Sequence, residues 1–534
     1  MKRRKMPISI QTFSEFYNSE YVYVDKTGIM HELANDSKVV FLSRPRRFGK
    51  SLMQSTLKAY FQGKQELFKG LEADKLEPFK EDGGWQEHVV FHFDFSSGDY
   101  VHDALNVLHG EIVRCIEPIE KWCGITVTDA KTPYNVRFAN VVKAAAEKSG
   151  KGVVILIDEY DKPMLQRLEK GEKDQEVVRT RLRGFYSTLK PLDPYIRFAM
   201  LTGVTRFSQL SIFSDLNQLK DISFDKKYAA ICGITQSELE TNFKPELEQL
   251  AEENSLTYEE TLTKLRDKYD GYDFTGTGPK VYNPFSTINV LDDKTFKDYW
   301  FQTGTPTMLL NEIRRTKFDV LNFDENVVRS ESEIKEYRPG TKDIIPLFFQ
   351  SGYLTIKSVR VRDGKFNLGF PNGEVKNGFA ESLAGYFFED VDRDEASATK
   401  LIDDLYDENL NNFFDRLSAF YLAIPHLLNN KEEKHYQTIF YVIFSMLAAD
   451  SSIKVEEHTS IGSSDAVIEL PDKIYVFEFK LDKNATVDDA LQQIETKGYA
   501  AKYEKDPSET RKIYKIGVVF DHKTRTIGEW KVTD

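Results

Sequence analysis

Cysteine is nearly absent from this chain. The 534 residues hold three, Cys115, Cys123 and Cys232. None lies in a CxxC or in a Cys/His spacing suited to zinc, so disulfide scaffolds and zinc modules are excluded and reduced thiols in a cytoplasmic protein are expected. Long apolar runs are missing too. The longest, YQTIFYVIFSMLAA, is shorter than the ~20 residues that cross a bilayer and reads as a buried helix, so no membrane partner is expected. The basic start, MKRRKMPISIQTF, lacks the apolar stretch of a secretory signal. There is no fixed-period repeat and no low-complexity tract. Positive charge does not prevail either: 72 basic against 85 acidic residues give a net charge of −13. That argues against a surface coated for nucleic acid but leaves room for a local basic channel. What is present, 40% hydrophobic and 13% aromatic residues, is the composition of folded domains with real cores. The length suggests three or four of them.

The first part of the chain alternates apolar runs with helical patterns. SKVVFLSRP, EHVVFHFDFSS, KGVVILIDEYD and IRFAMLTGVTR read as strands. SLMQSTLKAYFQG, VHDALNVLHGEIVRCIEPIEKWC and DQEVVRTRLRGFYSTLK read as helices. This alternation predicts a parallel sheet with helices on both faces. From about Asp221 the sequence becomes charged and mainly helical, with short strands and Gly/Pro loops. A helical stretch covers roughly 376–430, and from Lys431 the pattern is helix, strand, turn, strand, helix, strand. The expected division is therefore 1–220, 221–375, 376–430 and 431–534. The middle region is expected to act as a lid or winged-helix-like relay.

FLSRPRRFGKSLM, from Phe41 to Met53, poses the first chemical question. Gly49, Lys50 and Ser51 match the end of the phosphate-loop pattern GxxxxGK(S/T), but Arg44 stands in place of its first glycine. In such a loop, backbone N–H groups and the following helix N-terminus hold phosphate oxygens. Lysine reaches the β- and γ-phosphates, and the serine hydroxyl meets Mg²⁺. The nucleotide-binding set expected here is Arg47, Phe48, Gly49, Lys50, Ser51 and Leu52; a plain basic loop at a helix start is the competing reading. VVILIDEYDKP supplies the acidic strand tip. Asp158 is expected to associate with the metal and Glu159 to act as catalytic base, against a solvated acidic turn. Thr202, at the end of the strand RFAMLTG, is a candidate γ-phosphate sensor. Arg206 reads two ways, as a contact to nucleotide or as a surface ion pair.

Near the end, SSDAVIELPDKIYVFEFKL holds two apolar strands joined by a turn. Glu478 and Lys480 share one face of the second strand, because side chains at i and i+2 point the same way. A charged pair on a mainly apolar strand needs a reason. Metal-dependent phosphodiester cleavage is one: Asp465 and Glu478 would bind Mg²⁺ through hard oxygens, and Lys480 would position water or stabilise developing charge. A strand-edge salt bridge is the plainer reading. Gln493 on the next helix is a further catalytic candidate, with Tyr499, Glu433 and His435 as weaker ones.

These pieces carry a resemblance. YVDKT, RPRRFGKS, IDEYDKP, LTGVTRFS, YDGY, YNPFS, SGYLTI and LGFPN, spread over most of the chain, resemble a family of AAA-ATPase-like prokaryotic proteins ending in a PD-(D/E)XK nuclease-like domain. The resemblance implies an α/β chain with three parts: an N-terminal P-loop ATPase whose parallel sheet carries an additional strand, a helical middle, and a C-terminal nuclease-like α/β domain. It implies an arginine-rich form of the loop, with the arginines as added phosphate or partner contacts. It implies ATP and Mg²⁺ as cofactors, with Mn²⁺ an option at the nuclease site. The implied metal ligands are Ser51 and Asp158 in one site, Asp465 and Glu478 in the other. Nucleic acid, DNA in preference to RNA, is the implied partner, and a homo-oligomer fits the class. The "SD" before the strand replaces the family's "PD", a change without chemical consequence because proline is not a ligand. An ATPase controlling a nuclease is the leading expectation. A signalling or scaffold ATPase whose terminal domain binds nucleic acid without cutting is the alternative.

Overall fold

The computed structural model describes residues 5–18, 21–79, 84–126, 132–168, 172–207, 219–300, 307–316, 318, 327–387, 395–423, 436, 440, 454–456, 466–504 and 509–533. The chain divides into two compact units, 1–318 with 322–375, and 319–321 with 376–534. Among the described residues, no helix is long and apolar enough to cross a membrane.

The first unit is built on five strands: β1 (Val39–Ser43), β2 (Val90–Asp94), β3 (Val153–Asp158), β4 (Ile196–Gly203) and β5 (Leu219–Asp221). Their order is β2-β3-β4-β1-β5, and every pairing is parallel. The loop strand β1 and the acidic strand β3 are thus separated in space by β4, in the position of the additional strand that the resemblance implies. All six residues of β3 are buried, as its unbroken apolar run requires of a strand covered on both faces. Helices α1 (Lys50–Phe61), α2 (Tyr100–Cys123), α3 (Tyr134–Ser149) and α4 (Glu172–Tyr186) fill the connections. Helix α3 and strand β5 add to the elements expected from the sequence.

The charged stretch that follows folds into α5 (Gln236–Asn242), α6 (Lys244–Glu253), α7 (Tyr258–Tyr269) and α8 (Pro284–Asp293). Thr235 and Thr257 start two of these helices with reciprocal capping boxes to Glu238 and Glu260. Their apolar faces meet in a cluster around Leu239, Phe243, Leu247, Leu262 and Leu265. The unit closes with α9 (Thr307–Thr316), β6 (Val327–Arg329), α10 (Glu331–Lys335), α11 (Ile345–Ser351), β7 (Thr355–Val359) and β8 (Phe366–Gly369). The three strands form an antiparallel sheet in the order β6-β8-β7. Helix, strand, two helices and a hairpin is the element order of a winged helix.

The second unit contains α12 (Glu395–Tyr406), α13 (Leu410–Ala423), β9 (Lys454–Glu456), β10 (Ala466–Glu469), β11 (Lys473–Leu481), α14 (Val487–Lys497), β12 (Lys512–Asp521) and β13 (Thr526–Thr533). Its mixed sheet runs β13-β12-β11-β10-β9, with β11 and β12 parallel and the other pairings antiparallel. Phe477 and Phe479 pack in tilted ring contacts against Phe413 and Phe440 on one face of β11. On the other face α14 lies so close that a Cβ at Gly517, the register partner of Glu478, would sit 2.7 Å from Val487 O. Only glycine admits that approach.

Candidate functional site

The turn between β1 and α1 is shaped for an anion. Gly49 caps the helix at φ +88°, and Arg47 also takes a left-handed conformation at φ +66°. Such alternation points successive N–H groups to one side. Among the described residues, no hydrogen bond runs from the backbone N–H groups of Arg46 to Leu52 to a protein acceptor. Lys50 is buried, and its ammonium folds back across the loop to Arg44 O (3.0 Å) and Pro45 O (2.9 Å). Ser51 lies partly exposed in the first turn of α1.

The arginines divide by role. Arg44 is 1% exposed. Its guanidinium donates to Ser43 O (2.8 Å) and Ser223 O (2.9 Å) and lies 4.2 Å over the Phe274 ring. Burial lowers its pKa to about 10. The expectation that Arg44 adds a phosphate or partner contact is therefore corrected: it is an internal brace that replaces a glycine. Arg46 and Arg47 are exposed, with the Arg47 guanidinium 4.8 Å over Phe285. Phe48 is buried against Tyr272 and Phe274. Trp300 Nε1 donates to Arg46 O at 3.3 Å, and a Cβ at Gly352 would come within 2.7 Å of Pro45. The aromatic motifs of the middle region thus grip the loop from outside.

The acidic strand meets the loop helix through a hydrogen-bond chain. Asp158, buried at the tip of β3, accepts from Thr202 Oγ1 (2.6 Å) and from Glu159 N (3.0 Å) at the same oxygen, Oδ1. Gln54 Nε2, from α1, donates to Thr202 Oγ1 (2.9 Å) and Ile157 O (3.1 Å). Gln54, Asp158 and Thr202 therefore share the junction of α1, β3 and β4, with Lys50 one turn before Gln54 on the same helix. Glu159 is held at φ +50°, a strained conformation for a residue with a side chain. Hard carboxylate and hydroxyl oxygens suit Mg²⁺, and Asp158 Oδ2 accepts no hydrogen bond among the described residues, so the donor set fits.

Sequence reasoning passed over two residues here. Gln54 had a signal, a polar side chain one turn beyond Lys50 on a buried helix face. Asp161 closes the motif IDEYD; its Oδ2 accepts from Val204 N (3.0 Å), Thr205 N (2.6 Å) and Thr205 Oγ1 (2.7 Å). Burial raises its pKa to about 6 against those bonds. Arg206 is mostly buried, and its guanidinium pairs with Asp221 (3.2 Å) and Glu336.

In the second unit, Glu478 is 1% exposed and accepts from Lys480 Nζ at 2.7 Å; Lys480 also donates to Phe479 O at 3.1 Å. Gln493 Nε2 donates to Tyr499 OH at 3.2 Å, on the helix that packs over this face. Asp465, Glu433 and His435 lie outside the described residues. Beyond the strand ends, His522 Nδ1 lies 2.8 Å from both carboxylate oxygens of Asp482, with Asp521 beside them. This partly exposed group was not anticipated.

Comparison with known proteins agrees with both halves of this geometry. Residues 7–213 match the family described as predicted AAA-ATPase, and residues 431–530 match the PD-(D/E)XK nuclease superfamily. Across its whole length the chain is similar to an uncharacterized protein in the vnfD 5'region of Azotobacter chroococcum mcd 1. The two are 36% identical over 542 aligned positions, covering 99% of this chain and 98% of the relative.

Proposed function

The chain belongs to the family of predicted AAA-ATPases ending in a PD-(D/E)XK nuclease superfamily domain, and from that premise we propose that ATP binding and hydrolysis in its first unit control metal-dependent cleavage of nucleic acid by its second. The observation that carries the reading is the tie between loop helix and acidic strand: Gln54, one turn beyond Lys50 on α1, bonds Thr202, and Thr202 bonds Asp158, at the carboxyl ends of a parallel sheet in which β4 lies between loop strand and acidic strand.

Lys50 leaves the carbonyls of Arg44 and Pro45 for the β- and γ-phosphates. The N–H groups of Arg47 to Leu52 hold phosphate oxygens. Ser51 and Asp158 would hold Mg²⁺, which supplies charge neutralisation to phosphoryl transfer. Glu159 orients and deprotonates the attacking water, and Thr202 senses the γ-phosphate. In the second unit Asp465 and Glu478 would hold Mg²⁺ or Mn²⁺. Lys480 releases Glu478 to position water at the scissile phosphate, with Gln493 beside it. The working division is 1–220 for the ATPase, 221–375 for the relay, 376–430 for a connector and 431–534 for the nuclease. The break between compact units after Val375 supports its central boundary. DNA is the proposed substrate, with DNA processing, mobile elements or defence against foreign DNA as the setting.

The test is cleavage of plasmid and single-stranded DNA with Mg²⁺ or Mn²⁺, with and without ATP, for wild type, Lys480→Ala and Lys50→Ala. Cleavage should vanish in the first variant and change its ATP response in the second. No cleavage under any condition, with Lys50-dependent ATP hydrolysis intact, would replace this reading with a chain that binds nucleic acid without cutting it.

A further inference from the structure

The winged-helix element of the first unit turns inward the helix that would ordinarily lie in a DNA groove. All seven residues of α11 are buried. Gln350 is engaged on three sides: its Oε1 accepts from Arg206 N (2.9 Å), and its Nε2 donates to Ile334 O and Lys335 O (both 2.9 Å). Phe349 stacks on Phe224. This helix has no face left for a polyanion.

The hairpin β7–β8 is its opposite. Its tip is tied by Arg360 N to Lys365 O and Gly364 N to Arg360 O, both 2.8 Å, with Gly364 at φ +67°. On this fixed tip Val361 is 102% exposed, and Arg362 carries a side chain 78% exposed. The stretch Lys357 to Lys365 contains four basic residues (Lys357, Arg360, Arg362, Lys365) and one acidic residue, Asp363, a local charge of +3 on a chain of −13. Asp363 lies 3.4 Å from Arg360 and 3.6 Å from Arg362. Both separations exceed a hydrogen bond, so the carboxylate can be exchanged for phosphate, readily at the exposed Arg362, whose pair is worth little, and only at close approach at Arg360, whose side chain is 20% exposed. A β-branched side chain in open solvent between two arginines contributes nothing to packing. It has the form of an apolar wedge flanked by phosphate contacts.

We propose that the β7–β8 hairpin is a contact for duplex DNA, with Arg360 and Arg362 on the phosphate backbone and Val361 against the minor groove. A chain of net negative charge repels nucleic acid at long range, so a basic patch on a projecting, rigid hairpin is what such an encounter requires. The proposal rests on the reading above only in taking DNA as the partner, and it concerns binding rather than cutting.

The test is fluorescence anisotropy of a labelled mixed-sequence DNA duplex with the full chain, in EDTA so that nothing is cut, across a salt series. The double change Arg360→Ala/Arg362→Ala should weaken binding and lower the slope of log K against log salt by about 2, roughly one per arginine. Arg360→Lys/Arg362→Lys should restore most of that slope. Val361→Ala should weaken binding with the slope unchanged, because an apolar contact releases no counterion. Melting curves that overlay wild type show that the variants fold. The proposal is overturned if the double alanine variant keeps wild-type affinity and slope, or if the wild-type chain binds single strands but no duplex. Cleavage separates this from the nuclease reading. Hairpin-dependent binding without any Lys480-dependent cutting would sink the nuclease and leave the contact standing. Lys480-dependent cutting at wild-type rates by the double alanine variant would do the reverse.

Discussion

Arg44 shows how one residue can carry a meaning its position conceals. It stands where a phosphate loop has glycine, yet its guanidinium braces the loop from inside, on Ser223 O and Phe274. Restoring the usual residue with Arg44→Gly should therefore leave ATP affinity no higher. It should destabilise the first unit by about 3 kcal/mol, because buried carbonyls lose their donors and a cavity opens; urea unfolding and a fluorescent nucleotide titration would check both. The turn at Gly49 into the helix that starts at Lys50 was legible because it is local to a few residues. Arg44 was not, because its partner Ser223 lies 179 residues away. Glu374 makes a second residue-scale case. It is fully buried, accepting from Ser286 Oγ (2.7 Å) and Trp300 N (2.8 Å), and burial raises its pKa to about 7 despite those bonds and Lys268, with Asp298 adding to the rise. A raised carboxyl pKa gives stability that is complete below the unfolded value near 4.5 and lost as pH climbs through about 7. Glu374→Gln should flatten that decline, which is on the order of 3 kcal/mol at 1.36 kcal/mol per pKa unit, in unfolding midpoints measured from pH 4.5 to 8.

Elements become legible when their pattern is long enough to repeat. β1 to β4 announced themselves as apolar runs, and β3 as a strand buried on both faces. β5 and β6 have three residues each, too few for any period, and needed their neighbours in the sheet to exist at all. The two charges on β11 were legible from alternation alone. The helix covering them was also foreseen, but not the closeness of its packing, which depends on Gly517. Gly517→Ala would drive a methyl to 2.7 Å from the Val487 carbonyl, so helix and sheet must part. The expected cost is about 2 kcal/mol, with loss of DNA cleavage as Gln493 is carried off the Glu478 face. Gly49→Ala should behave differently. Nothing lies within 4 Å of the added Cβ, so only the left-handed backbone at φ +88° resists, at ~1–2 kcal/mol. Thermal melting should separate the two, with nucleotide binding the property that Gly49→Ala loses first.

At the scale of the whole chain, two families could be read from short motifs, whereas the segments between them could not. The linking pieces are aromatic and glycine-bearing segments with no chemistry of their own. The structure gives one of them a lever. From Thr202 to Phe207 the chain after β4 is held at both ends and in the middle. Thr202 bonds Asp158 (2.6 Å), and Val204 and Thr205 bond Asp161. Arg206 N donates to Gln350, Tyr337 N donates to Arg206 O (3.0 Å), and the Arg206 guanidinium pairs with Glu336. If the proposed nucleotide cycle moves Asp158, that displacement has little slack before it reaches α10 and α11. The double change Glu336→Ala/Gln350→Ala removes no hydrogen bond to the loop or to Asp158, so ATP affinity should hold. The turnover rate should change several-fold, in keeping with coupling energies of about 0.5–2 kcal/mol, and ATP should lose its influence on cleavage. Single-turnover hydrolysis alongside the cleavage assay decides the matter: wild-type turnover together with an intact ATP response would mean that this segment is a brace and that the signal leaves the first unit by another route.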